Sequence, residues 1–596
     1  MTGGTLRSFG VRAAVAFLAF SAGPAASGTA LAAQAAAASE QRTVARAERL
    51  RDAGRPAEAA AALREHLDRV PASPAALALL GEIALEAGEA RDLVTYAEAA
   101  VTAAPDDEVA RFWWARALTG AGLLDSALAV TGRWLERAPQ AAGARLARAD
   151  VQLTAGDSAA AVRTLGDAAA PPGEVLGRLA DLLLVMGDAE RLAAAWAGLL
   201  ALDPPATDDV ERGLRAAGEA GVAYFDRLRG ELGGRTDDAA RAGAIVALRV
   251  GRAAAARELA EGGRGAGEAE DAAFLREYAR EAEAAGLSSE VAWAAGLLAG
   301  LSPRPADQFR WRALAAEQAL AAGDSGSARR ALETLTRESA PGDAPHQAAS
   351  RRLFGLLSGD PASLGEATDV LARYLRQYPD SAAAEAAMRG ELAIGHARAG
   401  DLAAGEAVLA EARERLRVAW TGPLDAAAAR LSLYAGRRDS ARERARRSVR
   451  DSGIDAAERT RRLTLLTLVQ TADSAETRIV GAAALGLLGA PEAFDPGPAL
   501  RELAGATASE GRPAALTFLA DGAAAAGRAE IADGLRRRIV ERHPGSPEAP
   551  AALLDLARAA LGAEAVVWLE HLIVEYPRSA LAPVARRLLT ELGGGL

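Results

Sequence analysis

The chain of 596 residues contains no cysteine and no lysine, so its 69 basic residues are all arginine. Without cysteine there is no disulfide scaffold, thiolate metal site, iron–sulfur cluster, thiol nucleophile or acylated lipoprotein cysteine. Without lysine there is no Schiff-base amine, Walker lysine, kinase lysine or Ser-x-x-Lys nucleophile. Aromatic residues are scarce, with 8 Trp, 7 Tyr and 10 Phe. β-branched residues are sparse and period-two alternation is missing, so nothing reads as strand. The formal charge of −10 repels a phosphate backbone, which argues against nucleic acid as a partner. Half of the residues are hydrophobic and 25% are charged, the balance of a folded chain rather than a disordered one.

The amino terminus reads as an export signal over residues 1–33. Arg7 and Arg12 are the only charges before Glu40, and an apolar run from Ala13 to Ala22 follows them. Gly23 and Pro24 break that run, and Ala30-Leu31-Ala32 offers a small-x-small cleavage site. The run is too short for a comfortable membrane span, which takes ~20 apolar residues. An uncleaved anchor or an alanine-rich tail is the alternative. No other apolar stretch is long enough to cross a bilayer, so the mature chain is expected to have no stable membrane span.

Internal repetition is the strongest pattern. Gly54, Gly88, Gly122 and Gly156, each after an alanine, stand 34 residues apart, and Pro71, Pro105 and Pro139 keep the same step. A period of this length means a repeat architecture. In residues 74–105, Pro74 opens a helix. Leu77, Leu80, Ile83, Ala84 and Ala87 then form one apolar face. Gly88 ends the helix in the left-handed conformation. A second helix follows with Leu93, Ala97, Ala100 and Val101 inward, and Pro105 stops it. Such a pair cannot bury its own apolar face, and stacked neighbours can. Similar turns recur at Gly187, Gly251, Gly286, Gly323, Gly400, Gly436 and Gly527, and more weakly near Gly218, giving thirteen to fifteen expected helix pairs.

Leu80-Gly81, Ala100 and Pro105 in one unit, with Ala59, Ala127 and Ala161 in others, carry a resemblance to the tetratricopeptide repeat family. The family's first-helix Trp and Tyr are mostly missing here, and Ala115 and Ala149 replace its glycine. The resemblance implies an all-α solenoid, a superhelical array of antiparallel helix pairs, with first helices lining a groove. Residues 34–342 are expected to form an N-terminal array, 343–494 a middle segment and 495–596 a C-terminal segment. Breaks are expected at 262–268, 339–347 and 489–498. Tyr378-Pro379-Asp380-Ser381, His543-Pro544-Gly545-Ser546 and Tyr576-Pro577-Arg578-Ser579 resemble the joints of tetratricopeptide proteins from the bacterial cell envelope, where the serine would cap the next helix.

Signatures of chemistry are weak. Gly323-Asp324-Ser325-Gly326 spells a serine-protease motif but falls where a repeat turn is due. The histidines, at 66, 346, 396, 543 and 571, form no close pair that would suggest a metal site. Asp106-Asp107 and Asp208-Asp209 stand where they favour the start of a helix. No cofactor is called for. Two clusters are candidates for a partner. Phe112, Trp113 and Trp114 stand together; Trp114 is expected to face the core, with Phe112 and Arg116 toward the groove, the alternative being that all are core. Arg442, Arg444 and Arg447 belong to an arginine-crowded helix at 435–453, which is either a solvated face or a site for an acidic partner.

These readings converge on an exported, non-catalytic scaffold that binds other proteins or peptides, envelope components among them, in the periplasm or outside the cell. A lytic-transglycosylase-like envelope hydrolase and a structural spacer are the alternatives.

Overall fold

The computed structural model describes residues 27–167, 171–233, 237–265, 267–416, 421–451, 454–505, 512–560 and 562–593. The expected signal segment up to residue 26 lies outside them, and residues 27–33 begin the first helix. Among the described residues there are 32 α-helices and no strand, more helices than thirteen to fifteen pairs supply. The chain divides into two compact units, Met1–Phe274 and Leu275–Leu596.

In the first unit the period is visible in the helix bounds. They are α1 (Ser27–Asp52), α2 (Pro56–Arg69), α3 (Pro74–Glu86), α4 (Ala90–Ala103), α5 (Glu108–Gly120), α6 (Leu124–Arg137), α7 (Ala142–Thr154) and α8 (Ser158–Gly166). α3, α5 and α7 start 34 residues apart, as do α4, α6 and α8. The turn inside each hairpin is built on a glycine at φ between +75° and +83°, at Gly54, Gly88, Gly122 and Gly156. Only glycine enters that region without a Cβ penalty. The turn at Gly88 is closed by Gly88 N–H to Leu85 O (3.2 Å) and Glu89 N–H to Ala84 O (2.7 Å), so the last carbonyls of α3 are satisfied. Every later turn glycine expected from the sequence also has positive φ.

Small residues let the helices close on one another. Ala59, Ala127, Ala161 and Ala328 are fully buried. Leu77, Leu80, Ile83 and Ala84 of α3 face inward, whereas Ala87 lies exposed in the turn. The expected break at 339–347 is shorter than the sequence suggests, because a helix already starts at Ala344.

The feature that composition hides is a set of buried arginines. Arg111 and Arg145 stand at the same place in successive repeats and are 9% and 7% exposed. Arg145 forks to two backbone carbonyls, Thr164 O at 2.9 Å near the end of α8 and Pro139 O at 2.8 Å in the loop before α7. Arg241 donates to Gly263 O at 2.7 Å and to Asp271 at 2.6 Å, and Asp271 accepts from Gly265 N–H. That explains the glycine-rich segment near 265 as a latched loop. In the second unit, Arg389 joins Glu385 (2.9 Å) to Glu411 (3.2 Å), and Arg462 joins Glu458 (2.8 Å) to Ser448 O (2.8 Å). A planar fork serves two acceptors at once, which a single ammonium does less well.

The aromatic-Pro-x-Ser joints reach back to the turn before them. Tyr576 donates its hydroxyl to Pro544 O of the preceding joint at 2.7 Å, and Tyr378 reaches back to His346 at 2.7 Å. The serines do not behave alike. Ser381 gives its hydroxyl to Tyr378 O instead of capping the helix after it, Ser546 Oγ is buried without a partner, and only Ser579 accepts from a following amide, Leu581 N–H.

Candidate partner-binding face

Helix α5 forms because Asp107 caps it, accepting from Val109 N–H (2.8 Å) and Ala110 N–H (3.1 Å). Ala110, Trp113, Ala117 and Leu118 turn inward from there. The outward strip is Val109, 40% exposed, then half-buried Phe112 and exposed Arg116. α1, α3, α5 and α7 pack side by side, so the same places recur on each. Val44, Ala78, Phe112 and Leu146 form a half-buried apolar row at steps of 34, and Glu48, Glu82, Arg116 and Asp150 form a parallel charged row. Glu82 is held by Arg51 (2.7 Å) and Asp150 by Arg178 (2.8 Å).

Phe112 and Arg116 stand together on this strip. The Arg116 guanidinium carbon lies 5.5 Å from the Phe112 ring and 5.2 Å from the Trp113 ring, and it has no carboxylate partner. Phe112 meets Trp113 edge to face at 5.8 Å and packs at the seam of two core clusters. The tryptophans depart from the sequence reading. Trp113, not Trp114, is the buried one, at 6% exposure. Trp114 is half-buried, and its indole N–H is enclosed without a partner. The rest of the row was open to sequence reasoning through the 34-residue step, had that step been applied to the outward positions.

The arginine-crowded helix, Arg438–Ser448, tells a different story. Arg444 turns back onto its own hairpin, donating to Ser432 Oγ (3.1 Å) and Ala428 O (3.4 Å). Burial and the guanidinium groups of Arg413, Arg437 and Arg447 lower its pKa from the usual arginine value. Arg442 pairs with Asp439 at 3.1 Å, and Arg447 lies 3.5 Å from Glu443 and 3.8 Å from Asp425. Among the described residues, the exposed and unpaired cations of the helix region are Arg446 and Arg450, which nothing local in the sequence separates from the others.

The protease-like motif is a turn. Gly323 has φ +77°, and Asp324 caps the next helix by accepting from Ser327 N–H at 2.9 Å. Among the described residues no three His, Asp or Glu side chains gather as a metal site, and no helix is long and apolar enough to cross a membrane.

No family model matches the chain, and no curated protein sequence matches it. Among solved structures, the chain is similar to one in the crystal structure of the APC/C hetero-tetramer Cut9-Hcn1, at 13% identity over 88% of this chain and 98% of that one, with a TM-score of 0.23. It is also similar to one in the structure of Naa15/Naa10 bound to HypK-THB, at 14% identity over 93% of this chain and 91% of that one, with a TM-score of 0.21. At superposition scores this low, the repeat type is set by the chain's own hairpins: units of 34 residues, a left-handed glycine between the helices, and fully buried alanine early in the second helix. The chain is an all-α array of tetratricopeptide-type helix pairs.

Proposed function

We propose that the protein is an exported, non-catalytic scaffold that holds another protein or a peptide along the outward row of its first helices, in the bacterial cell envelope. The observation that carries the interaction is Phe112, a large aromatic left half-exposed beneath an unpaired Arg116, in a chain with few aromatics. Aromatic and arginine side chains supply most of the energy at interface hot spots. The export part rests on the charge, apolar run and small-residue exit of residues 1–33, and the envelope part on the aromatic-Pro-x-Ser joints.

Fractionation together with crosslinking in cells and mass spectrometry tests both parts. The expected outcome is recovery from the envelope fraction with a defined protein attached. Phe112→Ala is expected to reduce that attachment several-fold and to leave the melting temperature within a few degrees. Retention in the cytoplasm removes the export reading. Undiminished attachment moves the contact elsewhere, and a collapse in stability assigns Phe112 to the core.

A further inference from the structure

The second unit contains a small cavity that no repeat requires. It lies beside the loop between helices Ser325–Glu338 and Ala344–Ser358, and helix Leu364–Gln377 closes its third side. Its volume is about 190 Å³. Two arginines, Arg337 and Arg373, line it, and no carboxylate does. Nearby, Arg329 pairs with Glu333 and Glu366, and Arg312 of the preceding helix pairs with Glu338. Arg337 and Arg373 are exposed and have no ion pair or side-chain hydrogen bond.

Two buried polar groups line the same space. Ser350 is 6% exposed, and its hydroxyl has no partner in the protein. His346 is 4% exposed. The Gly342 amide donates to Tyr378 Oη (3.4 Å), and that hydroxyl lies 2.7 Å from His346 Nδ1. With that hydroxyl donating to Nδ1, the proton of the neutral ring sits on Nε2, which has no partner in the protein. Burial lowers the His346 pKa; Asp343 opposes that shift and Arg373 reinforces it, so the ring is neutral at neutral pH. Leu353, Val370 and the buried ring of Tyr374 add apolar surface to a lining that also holds Thr336, Ser339 and Gln377.

We propose that this cavity is a carboxylate site. It takes a carboxylate carried on a short apolar body, the chemistry shared by the last residue of a peptide and by a free short-chain carboxylic acid. The arginine pair supplies charge-assisted hydrogen bonds to the carboxylate. Ser350 and His346 supply neutral ones, and the Leu353–Val370 wall covers the apolar body. A phosphate dianion fits less well, because Leu353 and Val370 offer its remaining oxygens no donor. The site belongs to a different unit from the Phe112 row, so either can fail without the other.

Isothermal titration of the full chain tests the proposal with four probes: N-acetyl-leucine, N-acetyl-leucinamide, 4-methylvalerate and inorganic phosphate. The acid is expected to bind more tightly than its amide by about tenfold or more, the worth of a charge-assisted pair. The Arg337→Gln/Arg373→Gln variant is expected to lose that difference while keeping its helical circular dichroism and melting temperature. Should that double change unfold the chain, the exposed single change Arg373→Gln and the buried Ser350→Ala are each expected to weaken the acid while sparing the fold. Binding of 4-methylvalerate as tight as N-acetyl-leucine identifies a free acid as sufficient, and weaker binding identifies a peptide end. Equal affinity for acid and amide, tighter binding of phosphate, an unchanged double variant, or no binding by any probe overturns the proposal.

Discussion

A Cβ placed on Gly81 of α3 would stand inside the indole of Trp113 on α5, 2.6 Å from its Cδ2. The absent side chain in one repeat is the space that the tryptophan of the next repeat fills. Since Trp113 is 6% exposed and lies in the core of α1 to α5, this contact joins two repeats that a single hairpin would leave open.

Gly81→Ala separates helix propensity from packing. Alanine favours an isolated helix by up to ~1 kcal/mol over glycine. Here the added methyl meets backbone-anchored rings, and overpacking of this kind costs about 1–3 kcal/mol. A net loss of stability is expected, read as a lower urea midpoint at unchanged slope. A gain would mean that Trp113 moves aside freely.

Arg145→Met tests the buried fork. The substitution keeps the length of the stem and removes the donors to Thr164 O and Pro139 O. Each carbonyl left without a partner costs roughly 1–3 kcal/mol. Arg145→Lys is expected to recover only part of the loss, because one ammonium does not reproduce the fork. Equal stability of the Lys variant and the parent, by chemical denaturation, would show that charge alone suffices.

Asp521 carries the pH prediction. Burial and the nearby Asp555 carboxylate raise its pKa above the ordinary aspartate range, against the pull of Arg536 at 3.9 Å. Below that range both the folded and the unfolded chain hold the proton, and nothing is lost. As the pH rises through it, the unfolded chain releases its proton first, so stability falls until the folded carboxyl ionises as well. Asp521→Asn is therefore expected to be more stable than the parent at neutral pH, with the difference vanishing on acidification. Urea midpoints across the acid range check this, and a difference that does not change with pH would remove Asp521 as its source.

The helix pairs were legible because their signals are local. Gly88 and Gly122 mark turns through backbone conformation, and Leu77, Leu80 and Ile83 mark a face through spacing alone. The Gly323-Asp324-Ser325-Gly326 turn was readable for the same reason. Positions decided by a neighbouring repeat were not. Trp113 and Trp114 are adjacent and equally apolar, and only the gap at Gly81 selects the first for the core. Arg145 and Arg241 look like surface residues until the carbonyls that they satisfy are placed. Arg442, Arg444 and Arg447 look like an offered patch until Ser432, Asp439 and Glu443 are found beside them. The cavity at Ser350 gave no local sign at all, because three helices contribute to it.

Arg145 has a last consequence. A guanidinium keeps its proton across the whole range of conditions in which proteins survive, and a peptide carbonyl has none to gain. The clasp between Thr164 and Pro139 is therefore indifferent to acid, unlike the carboxylate clasps at Arg389 and Arg462. If acidification loosens the chain, α7 and α8 should be among the last parts to let go, and the looser joints should be those fastened by glutamate.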